Sequence, residues 1–441
     1  MNTSPAPATQ GINKRVIWAI ALPAMVTNVA TALIGVGDMW IVGQLGDAPT
    51  QGAVDVGAKL FAVLFTVMNF LKTGTTGLVA QAGTRSGNSE QFGILMRGLF
   101  VGLTIAALLL FARPILLPAM LDALGAQDAV HEAADAYAGI RYWSAPAVMA
   151  NFALVGFLVG RRQMTQVLVI EVAYNLLNVA LGLWLALGLH WGIEGIAWAS
   201  VAAECTKLAA CTMLVFGRNS GGLRVKLHQG AHLSLAALKP FLLVNRDLFL
   251  RTVMLMVSIA ALTRLSAERG PVVLAANGIA YQLFILSALL LDGFENAAQV
   301  LNGERMGAED RRGFRAYFRA ILLRGLGTAA LLAAVFAALG HTIIAGFAAT
   351  PEVAVEALAL LPWIVAMPLA GVTSFVFDGV FVGASWTRAL LLSMAGAAMG
   401  YAALLWLTWP LGNNGLWLSF IAFLLMRAGL QAVQMPRLLR S

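Results

Sequence analysis

The sequence predicts an all-α polytopic membrane protein, with about twelve transmembrane helices arranged as two pseudo-symmetric six-helix bundles. Three observations support this fold class. The chain of 441 residues is 60% hydrophobic and only 11% charged, whereas soluble domains carry roughly 25% charged residues. Apolar runs of about 20 residues recur along the chain, as bilayer-crossing helices require. Similar segments also recur half a chain apart, which indicates an internal repeat.

The apolar runs give the predicted helices in chain order. Several exceed the minimum needed to cross the hydrocarbon core, so tilted helices are expected. Short segments of alternating hydrophobicity, which are typical of membrane β-barrels, do not occur in the sequence. The predicted helices cover residues 16–45, 53–82, 92–120, 131–160, 165–189, 191–216, 237–267, 272–303, 316–347, 353–384, 387–411 and 413–435.

The charges in the short loops predict the orientation. Alternate loops are basic, as at Lys14 and Arg161, and the others are acidic, as at Asp122 and Glu132. By the positive-inside rule, both termini lie in the cytoplasm of a multi-pass protein of the cell (inner) membrane. The net charge of +8 is therefore explained by orientation and does not indicate a nucleic-acid partner.

Three pairs of similar segments predict a parallel repeat. "GTRSG" and "GERMG" begin at residues 83 and 303, an offset of 220, and "GIEGIAWAS" and "GNNGLWLSF" have the same offset. "GFLVG" and "GVFVG" begin at residues 156 and 379, an offset of 223. An even number of helices per half keeps both halves in one orientation. The predicted units are an N-terminal lobe (1–217), a cytoplasmic linker (218–236) and a C-terminal lobe (237–441).

Asp38 is the predicted ion-coupling residue. It lies in the apolar stretch "ALIGVGDMWIVGQLG" (32–46) and has no basic residue three or four positions away. A charge within a spanning helix costs about 2.5–3.5 kcal/mol, so such residues are mostly functional or paired. A carboxylate without a partner in low dielectric is suited to take up and release a proton. The alternative is an aspartate that bonds a neighbouring helix and has only a structural role.

Asn175 and Asn178 are predicted to share one face of the fifth helix, because they are three residues apart. Their amides suit hydrogen bonding to a protonated Asp38, and their carbonyl oxygens suit a hard cation such as Na⁺. The alternative for both residues is hydrogen bonding between helices, worth under about 2 kcal/mol.

A second group of charged residues lies deeper, toward the cytoplasm, and predicts an inner gate or charge network. Lys72 and Asp292 are 220 residues apart, which assigns them to equivalent repeat positions, and they are expected to pair across the bundle interface. Permanent pairing within one bundle is the alternative, and it is favoured for Asp247 with Arg251 at i, i+4. The network consists of Lys72, Arg246, Asp247, Arg251, Asp292, Glu295 and Asp378.

Three further charges lie in predicted helices of the first half of the chain. Glu204 and Lys207 are three residues apart and are expected to neutralise each other. Glu171 lies near the inner end of its helix and is expected to reach water.

The sequence contains no recognisable enzyme motif. A Walker A sequence is absent, and "HEAAD" (131–135) lacks the second histidine of a zinc motif. Cys205 and Cys211 lie on different faces of one predicted helix, so neither a disulfide nor a thiolate metal site is expected. These observations predict a protein that is not an enzyme and that has no metal centre.

Several motifs resemble the multidrug and toxic compound extrusion (MATE) family, and its bacterial DinF-like branch in particular. They are "GDMWIVGQLG" from residue 37, "FLKTGTTGLVAQAG" from residue 70, "NRDLFLRT" from residue 245 and "LGNNGLWLSF" from residue 411. The resemblance runs in order over nearly the whole chain. It implies two six-helix lobes that face a central cavity, and export of organic, often cationic, compounds in exchange for H⁺ or Na⁺.

The resemblance also assigns roles to residues. Asp38 matches the coupling aspartate of the family, Asn178 matches an asparagine that joins it, and Ser200 stands where relatives often have a hydroxyl. Many relatives have a second aspartate where this chain has Gly182. A Na⁺ site would then have fewer anionic ligands, whereas a proton needs only Asp38, so H⁺ coupling is favoured.

Two positions of the inner network depart from the branch. Arginine is common there where this chain has Lys72, so the charge is kept. Glutamate is common where this chain has Gln299, and Glu295 lies one turn earlier and is expected to replace it.

These observations predict a secondary active multidrug efflux antiporter that exchanges its substrates for H⁺ by alternating access. The alternatives are Na⁺-coupled drug antiport and flipping of a lipid-linked precursor, and a channel or structural membrane protein is the alternative from another class. The expected partners are membrane lipid and small organic, mostly hydrophobic or cationic, substrates. The protein is expected to be a monomer without a cofactor, apart from its coupling ion H⁺ or, as the alternative, Na⁺.

Overall fold

The computed structural model describes residues 13–45, 48–124, 128–217 and 233–440, and it describes the side chains of these residues except for 33–39, 43–45 and 48–51. Most of the predicted linker 218–236 and the side chain of Asp38 therefore lie outside the described residues. We call residues 13–217 the first half of the chain and residues 233–440 the second half.

The described residues form fifteen α-helices and no β-strand, which confirms the predicted all-α fold. Twelve described segments are long and apolar enough to cross a membrane. The first half contains α1 (Lys14–Leu45), α2 (Ala48–Met68), α3 (Phe70–Arg85), α4 (Asn88–Ala123), α5 (Asp128–Arg141), α6 (Ala145–Gly160), α7 (Met164–Gly182) and α8 (Gly192–Gly217). The second half contains α9 (Leu235–Ala267), α10 (Pro271–Gly307), α11 (Arg311–Phe347), α12 (Pro351–Ala359), α13 (Leu361–Gly383), α14 (Thr387–Leu407) and α15 (Gly412–Leu438).

Three of the predicted spans are each divided into two helices. The chain stays apolar through each break, so hydropathy alone does not reveal it. In two of these spans the helix after the break has a proline in its first turn, Pro146 in α6 and Pro362 in α13. The missing N–H costs no helical hydrogen bond at that position. The breaks lie at Asn69 between α2 and α3, at Tyr142–Ser144 between α5 and α6, and at Leu360 between α12 and α13.

The buried apolar residues form one shared core at one end of the molecule and separate cores elsewhere. The shared core contains residues of both halves, such as Leu71 and Leu158 from the first and Leu301 and Val380 from the second. Each of the other clusters contains residues of one half only. The two halves are therefore joined where α3, α6, α10 and α13 end, and we call this the closed end.

Glycine allows α6 to pack on α3 backbone to backbone. A Cβ atom on Gly156 would lie 2.6 Å from the carbonyl oxygen of Lys72, and one on Gly160 would lie 2.8 Å from that of Thr76. A larger residue would force the two helices apart, so these small residues set their separation.

The second half repeats this contact between α13 and α10. A Cβ atom on Gly379 would lie 2.2 Å from the carbonyl oxygen of Glu295, and one on Gly383 would lie 2.3 Å from that of Gln299. Each of these four residues lies 223 positions after its counterpart in the first half. The packing therefore supports the predicted internal repeat.

Hydrogen bonds at the ends of α3 and α10 follow the same offset of 223 residues. The side-chain amide of Gln91 donates to the carbonyl oxygen of Val79, and that of Asn302 donates to the carbonyl oxygen of Phe314, both at 2.8 Å. The segments "GTRSG" and "GERMG" are similar at an offset of 220. The helices that carry them, α3 and α10, instead make equivalent contacts at an offset of 223, so this sequence similarity does not align structurally equivalent residues.

The predicted equivalence of Lys72 and Asp292 is therefore wrong. Lys72 and Glu295 each provide the carbonyl oxygen that a glycine of the packed helix approaches. Opposite charges do occupy equivalent positions of the two halves, but the counterpart of Lys72 lies three residues further along α10.

We expect Gly379→Ala to destabilise the protein. The added Cβ atom would lie 2.2 Å from a backbone oxygen of α10, which cannot move without displacing the helix, so the expected loss is about 1–3 kcal/mol. The apparent melting temperature in detergent measures this loss. Gly327→Ala is the matched control, because its Cβ atom would meet nothing within 4 Å, and it should be neutral or slightly stabilising. Equal melting temperatures for both variants would contradict the packing argument.

Candidate functional site

Polar side chains join the two halves at the closed end. Nε2 of Gln81, near the end of α3, donates to the carbonyl oxygen of Gly383 at 2.7 Å and to Oγ of Ser385 at 2.9 Å. Nε2 of Gln299 in α10 donates to the carbonyl oxygen of Thr73 in α3 at 2.6 Å. All three hydrogen bonds cross from one half to the other.

An ion pair crosses the same interface. Arg162, in the loop after α6, pairs with Glu304 near the end of α10, and Oγ1 of Thr84 donates to the carbonyl oxygen of Glu304 at 2.8 Å. Arg162 and Ser385 both have left-handed backbone conformations, with φ of 61° and 57°, and they are 223 residues apart. The two halves therefore use equivalent loops to reach each other.

The sequence did not identify Gln81, Arg162 and Glu304 as site residues. Arg162 was explained by membrane orientation, and a glutamine near a helix end gives little signal in a hydropathy profile. The equivalent repeat positions of Arg162 and Ser385 were a usable signal, although their contacts across the interface require the fold.

A polar cavity of about 230 Å³ lies between the halves beside these contacts. Arg246 and Asp247 of the predicted network do not line it, and Asp378 lies behind it. The structure thus brings together only part of the predicted network. The network residues that line the cavity are Lys72 of α3, Arg251 of α9, and Asp292 and Glu295 of α10.

Asp378 of α13 is buried between two arginines. It forms ion pairs with Arg251 of α9 and Arg427 of α15, and Nε2 of Gln431 donates to it at 2.7 Å. These partners offset the cost of removing the carboxylate from water, and they tie three helices together. The predicted network did not include Arg427, although it is the one charged residue in the predicted helix 413–435.

The predicted pair of Asp247 with Arg251 is wrong. Asp247 pairs with Arg246 at 2.7 Å, and Arg251 pairs with Asp378. The i, i+4 spacing correctly indicates one helix face, but it does not show that another helix supplies a buried carboxylate to the same arginine.

The predicted neutralisation of Lys207 by Glu204 holds only in part, because Glu204 lies near Lys207 but forms no ion pair with it among the described residues. Lys207 of α8 pairs with Glu171 of α7 at 2.7 Å, so Glu171 is buried in an ion pair and does not reach water. Glu204 instead accepts a hydrogen bond from Nδ2 of Asn151 at 2.8 Å. These contacts connect α6, α7 and α8 within the first half.

Lys72 and Asp292 do not pair in this structure. Asp292 accepts hydrogen bonds from the side-chain amides of Asn28 at 2.8 Å and Asn296 at 3.3 Å. Lys72 has no ion-pair partner among the described residues. Both side chains line the cavity, so a change in the separation of the halves would alter their surroundings.

Asn178 and Ser200 meet between α7 and α8. Nδ2 of Asn178 donates to Oγ of Ser200 at 3.4 Å. Oδ1 of Asn178 and both amide atoms of Asn175 are buried and have no hydrogen-bond partner among the described residues. A buried polar atom without a partner costs about 1–3 kcal/mol, so this region is suited to receive a further polar group.

Helix α1 lies against α7 at this depth. A Cβ atom on Gly182 would lie 3.0 Å from Cδ1 of Ile41, so the two turns touch. Asp38 comes about one turn before Ile41, and Asn178 comes about one turn before Gly182. Because both helices begin at the closed end, the backbones of Asp38 and Asn178 lie at the same level.

Comparison with known proteins identifies the family. The MatE family model matches residues 23–184 and 247–405. DNA damage-inducible protein F of Escherichia coli (strain K12) is 33% identical over 417 residues, which cover 94% of this chain and 90% of that protein. Probable multidrug resistance protein NorM of Rhizobium meliloti (strain 1021) is 27% identical over 458 residues, which cover 96% of this chain and 92% of that protein.

Solved structures share the fold. A crystal structure of MATE in the bent conformation matches with a TM-score of 0.89 at 15% identity, over 97% of this chain and 96% of that one. An outward-facing multidrug resistance MATE family transporter of the MOP superfamily matches with a TM-score of 0.85 at 15% identity, over 100% of both chains. The predicted resemblance is confirmed, and members of the matched family are transporters, not enzymes. This chain belongs to the MatE family of multidrug transporters.

Proposed function

We propose that the protein is a secondary active antiporter that exports organic, often cationic, compounds in exchange for H⁺ by alternating access. Asp38 takes up and releases the coupling proton. Residues 1–217 and 237–441 act as two lobes that move relative to each other, joined by the linker 218–236. Relatives named as multidrug resistance proteins support this substrate class.

The contact between Ile41 and Gly182 is the observation that carries the proposal. It puts the turn of α1 that contains Asp38 at the level of Asn178, whose Oδ1 has no partner among the described residues. A protonated carboxyl group donates one hydrogen bond and an amide oxygen accepts one, so the two groups are complementary when the acid is protonated. Loss of the proton removes this bond and introduces a charge into low dielectric, which favours a rearrangement of α1.

The chemistry of this region supports a proton over Na⁺ as the coupling ion. Asn175, Asn178 and Ser200 are neutral, and Gly182 supplies no second carboxylate. A side chain at position 182 would press against Ile41, so the packing leaves little room for one. Hard metal cations are bound by several oxygen ligands, whereas a proton needs a single carboxylate. We propose that no cofactor other than the coupling ion takes part.

The closed end lies in the cytoplasm in this proposal. Arg85 is the last residue of α3, Arg162 lies in the loop after α6 and Arg311 is the first residue of α11, and all three lie at this end, as the positive-inside rule requires. The structure then represents an outward-facing state of a monomer in the inner membrane. The contacts between Gln81 and Ser385 and between Arg162 and Glu304 form its closed cytoplasmic gate.

We expect Asp38→Asn to abolish proton-driven transport. The amide cannot exchange a proton, so a pH gradient can no longer bias the two lobe arrangements. The measurement is export of a fluorescent organic cation from proteoliposomes under an imposed pH gradient, which should fall to the level of protein-free liposomes.

Asp55→Asn is the control for this experiment, because Asp55 is an exposed acid that pairs with Lys59 within α2. This variant should transport like the wild type. Full activity of Asp38→Asn would refute the coupling role of Asp38. Transport that needs a Na⁺ gradient and ignores the pH gradient would refute the choice of ion.

We expect Glu304→Gln to weaken the cytoplasmic gate. The pair with Arg162 is partly exposed, so its loss should cost up to about 1 kcal/mol and shift the balance toward the inward-open state by up to about fivefold. The readout is the rate at which an impermeant maleimide labels Thr73→Cys from the cytoplasmic side, in a chain that also carries Cys205→Ser and Cys211→Ser.

Thr73 suits this experiment because it lines the cavity beside the gate. Glu309→Gln is the matched control, since Glu309 is an exposed acid at the same end and has no ion pair to the first half among the described residues. Labelling that rises equally in both variants would show that general loss of negative charge, and not the gate, controls access.

A further inference from the structure

An aromatic pocket of about 240 Å³ lies within the second half. Phe284 and Phe420 pack edge to face with ring centroids 5.1 Å apart, and Tyr281 stands beside Phe284 at 6.0 Å. None of these residues belongs to the predicted coupling site or to the charge network. The aromatic side chains that line the pocket are Tyr281, Phe284, Phe375, Phe420 and Phe423.

Asp292 lies where this aromatic pocket meets the polar cavity between the halves, and it lines both. Tyr281, Phe284 and Asp292 come from α10 at spacings of three and eight residues, which place them along one face of the helix. One carboxylate is therefore fixed at the inner boundary of an aromatic surface.

The charge of Asp292 is not neutralised by an ion pair within the described residues. It accepts hydrogen bonds from the neutral amides of Asn28 and Asn296, and the carboxyl group of Glu295 lies within hydrogen-bond reach of it. By contrast, Asp378 has two arginines and Asp247 has Arg246. A carboxylate at membrane depth that forms no ion pair is suited to pair with a cation from a ligand.

The cationic side chains near Asp292 either form ion pairs with another carboxylate or lie on the opposite wall of the cavity. Arg427 lines the aromatic pocket and Arg251 lines the polar cavity, but both pair with Asp378. Lys72 lies on the opposite wall of the polar cavity, on α3, and Glu295 adds a second carboxyl group. Within the aromatic pocket Asp292 is the acidic lining residue, and its one negative charge matches one positive charge on a ligand.

The shapes of the two cavities also define the ligand. Each is smaller than the roughly 300–1,000 Å³ of typical small-molecule sites, so a ligand of drug size would extend across both. Aromatic walls bind planar rings and also stabilise a nearby positive charge. The site therefore fits an aromatic monocation, with its rings in the second half and its charge at Asp292.

We propose that Asp292 and the aromatic pocket bind the organic cation, and that this cation competes with Asn28 of α1 for the Asp292 carboxylate. The inference rests on the proposed export function and gives its substrate class a defined site. Nδ2 of Asn28 donates to Asp292 across the interface between the halves, so a bound cation releases this link. Asn28 and Asp38 lie on the same helix, ten residues apart, so substrate and proton act on one element.

Equilibrium binding of ethidium to the purified protein, without any ion gradient, tests the site. Asp292→Asn should weaken binding by about 10-fold to 100-fold, because it removes the charge partner. Binding of dihydroethidium, which has the same ring skeleton without the charge, should change little. Tyr281→Ala should weaken binding of both compounds. Unchanged ethidium affinity in Asp292→Asn would overturn the proposal.

Three controls make the result interpretable. Asp122→Asn removes an exposed acid, and Phe347→Ala removes an exposed phenylalanine from α11, so both should bind ethidium like the wild type. Asp292→Glu should restore most of the affinity that Asp292→Asn loses, whereas a variant that is merely unfolded would not be rescued in this way. Failure of this rescue in a protein with a normal melting temperature would count against the site.

Asn28→Ala tests the competition. Removal of the competing donor should raise ethidium affinity several-fold, and an unchanged or lower affinity would overturn the competition. Asp38→Asn should still bind ethidium while it loses proton-driven export. Binding without any gradient-driven export by the wild type would refute the proposed function and leave the site intact, and normal export with normal binding by Asp292→Asn would refute the site alone.

Discussion

The cost of placing charge in a bilayer is the constraint on which the interior of this protein depends. The charge of Asp378 is stabilised by two arginines and a glutamine, and the charge of Glu171 is stabilised by Lys207. These complete partnerships lie within one half and hold its helices in place. Asp292 accepts hydrogen bonds from two amides, forms no ion pair among the described residues, and lies at the interface between the halves. Incomplete compensation at this interface would allow Asp292 to change partners in the lobe movement that we propose.

Two kinds of contact hold the helices together. Within each half, a glycine lies directly against a carbonyl oxygen, as Gly156 does on Lys72 and Gly379 does on Glu295. Separating such helices would leave voids along their whole contact. Between the halves, the closed end also has hydrogen bonds and a partly exposed ion pair, each worth about 1 kcal/mol. A glycine contact of the same kind also joins the halves, since a Cβ atom on Gly307 would lie 2.2 Å from the carbonyl oxygen of Gln81, so opening the closed end must also separate packed backbones.

The sequence was sufficient for the fold because lipid permits only continuous apolar helices at the surface of such a protein. The breaks at Asn69 and Leu360 were missed, since the chain stays apolar through both. The depth of each charge could be read from its helix, but its partner could not. Arg251 pairs with Asp378, which is 127 residues away, and not with Asp247 on its own helix face. A short sequence similarity also gave the repeat an offset of 220, whereas the glycine contacts and the hydrogen bonds at the helix ends showed that 223 applies there.

Helix α1 contacts both proposed sites. Its Asn28 holds Asp292 of the second half, and its Ile41 touches Gly182 of the first half. The ten residues from Asn28 to Asp38 span about 15 Å of helix. Coupling of substrate to proton needs a single element whose position both ligands bias, and no continuous path of contacts is required. A cation at Asp292 frees α1 from the second half, and a proton on Asp38 favours its contact with the first. Helix α1 is therefore the element through which the two proposed ligands affect each other.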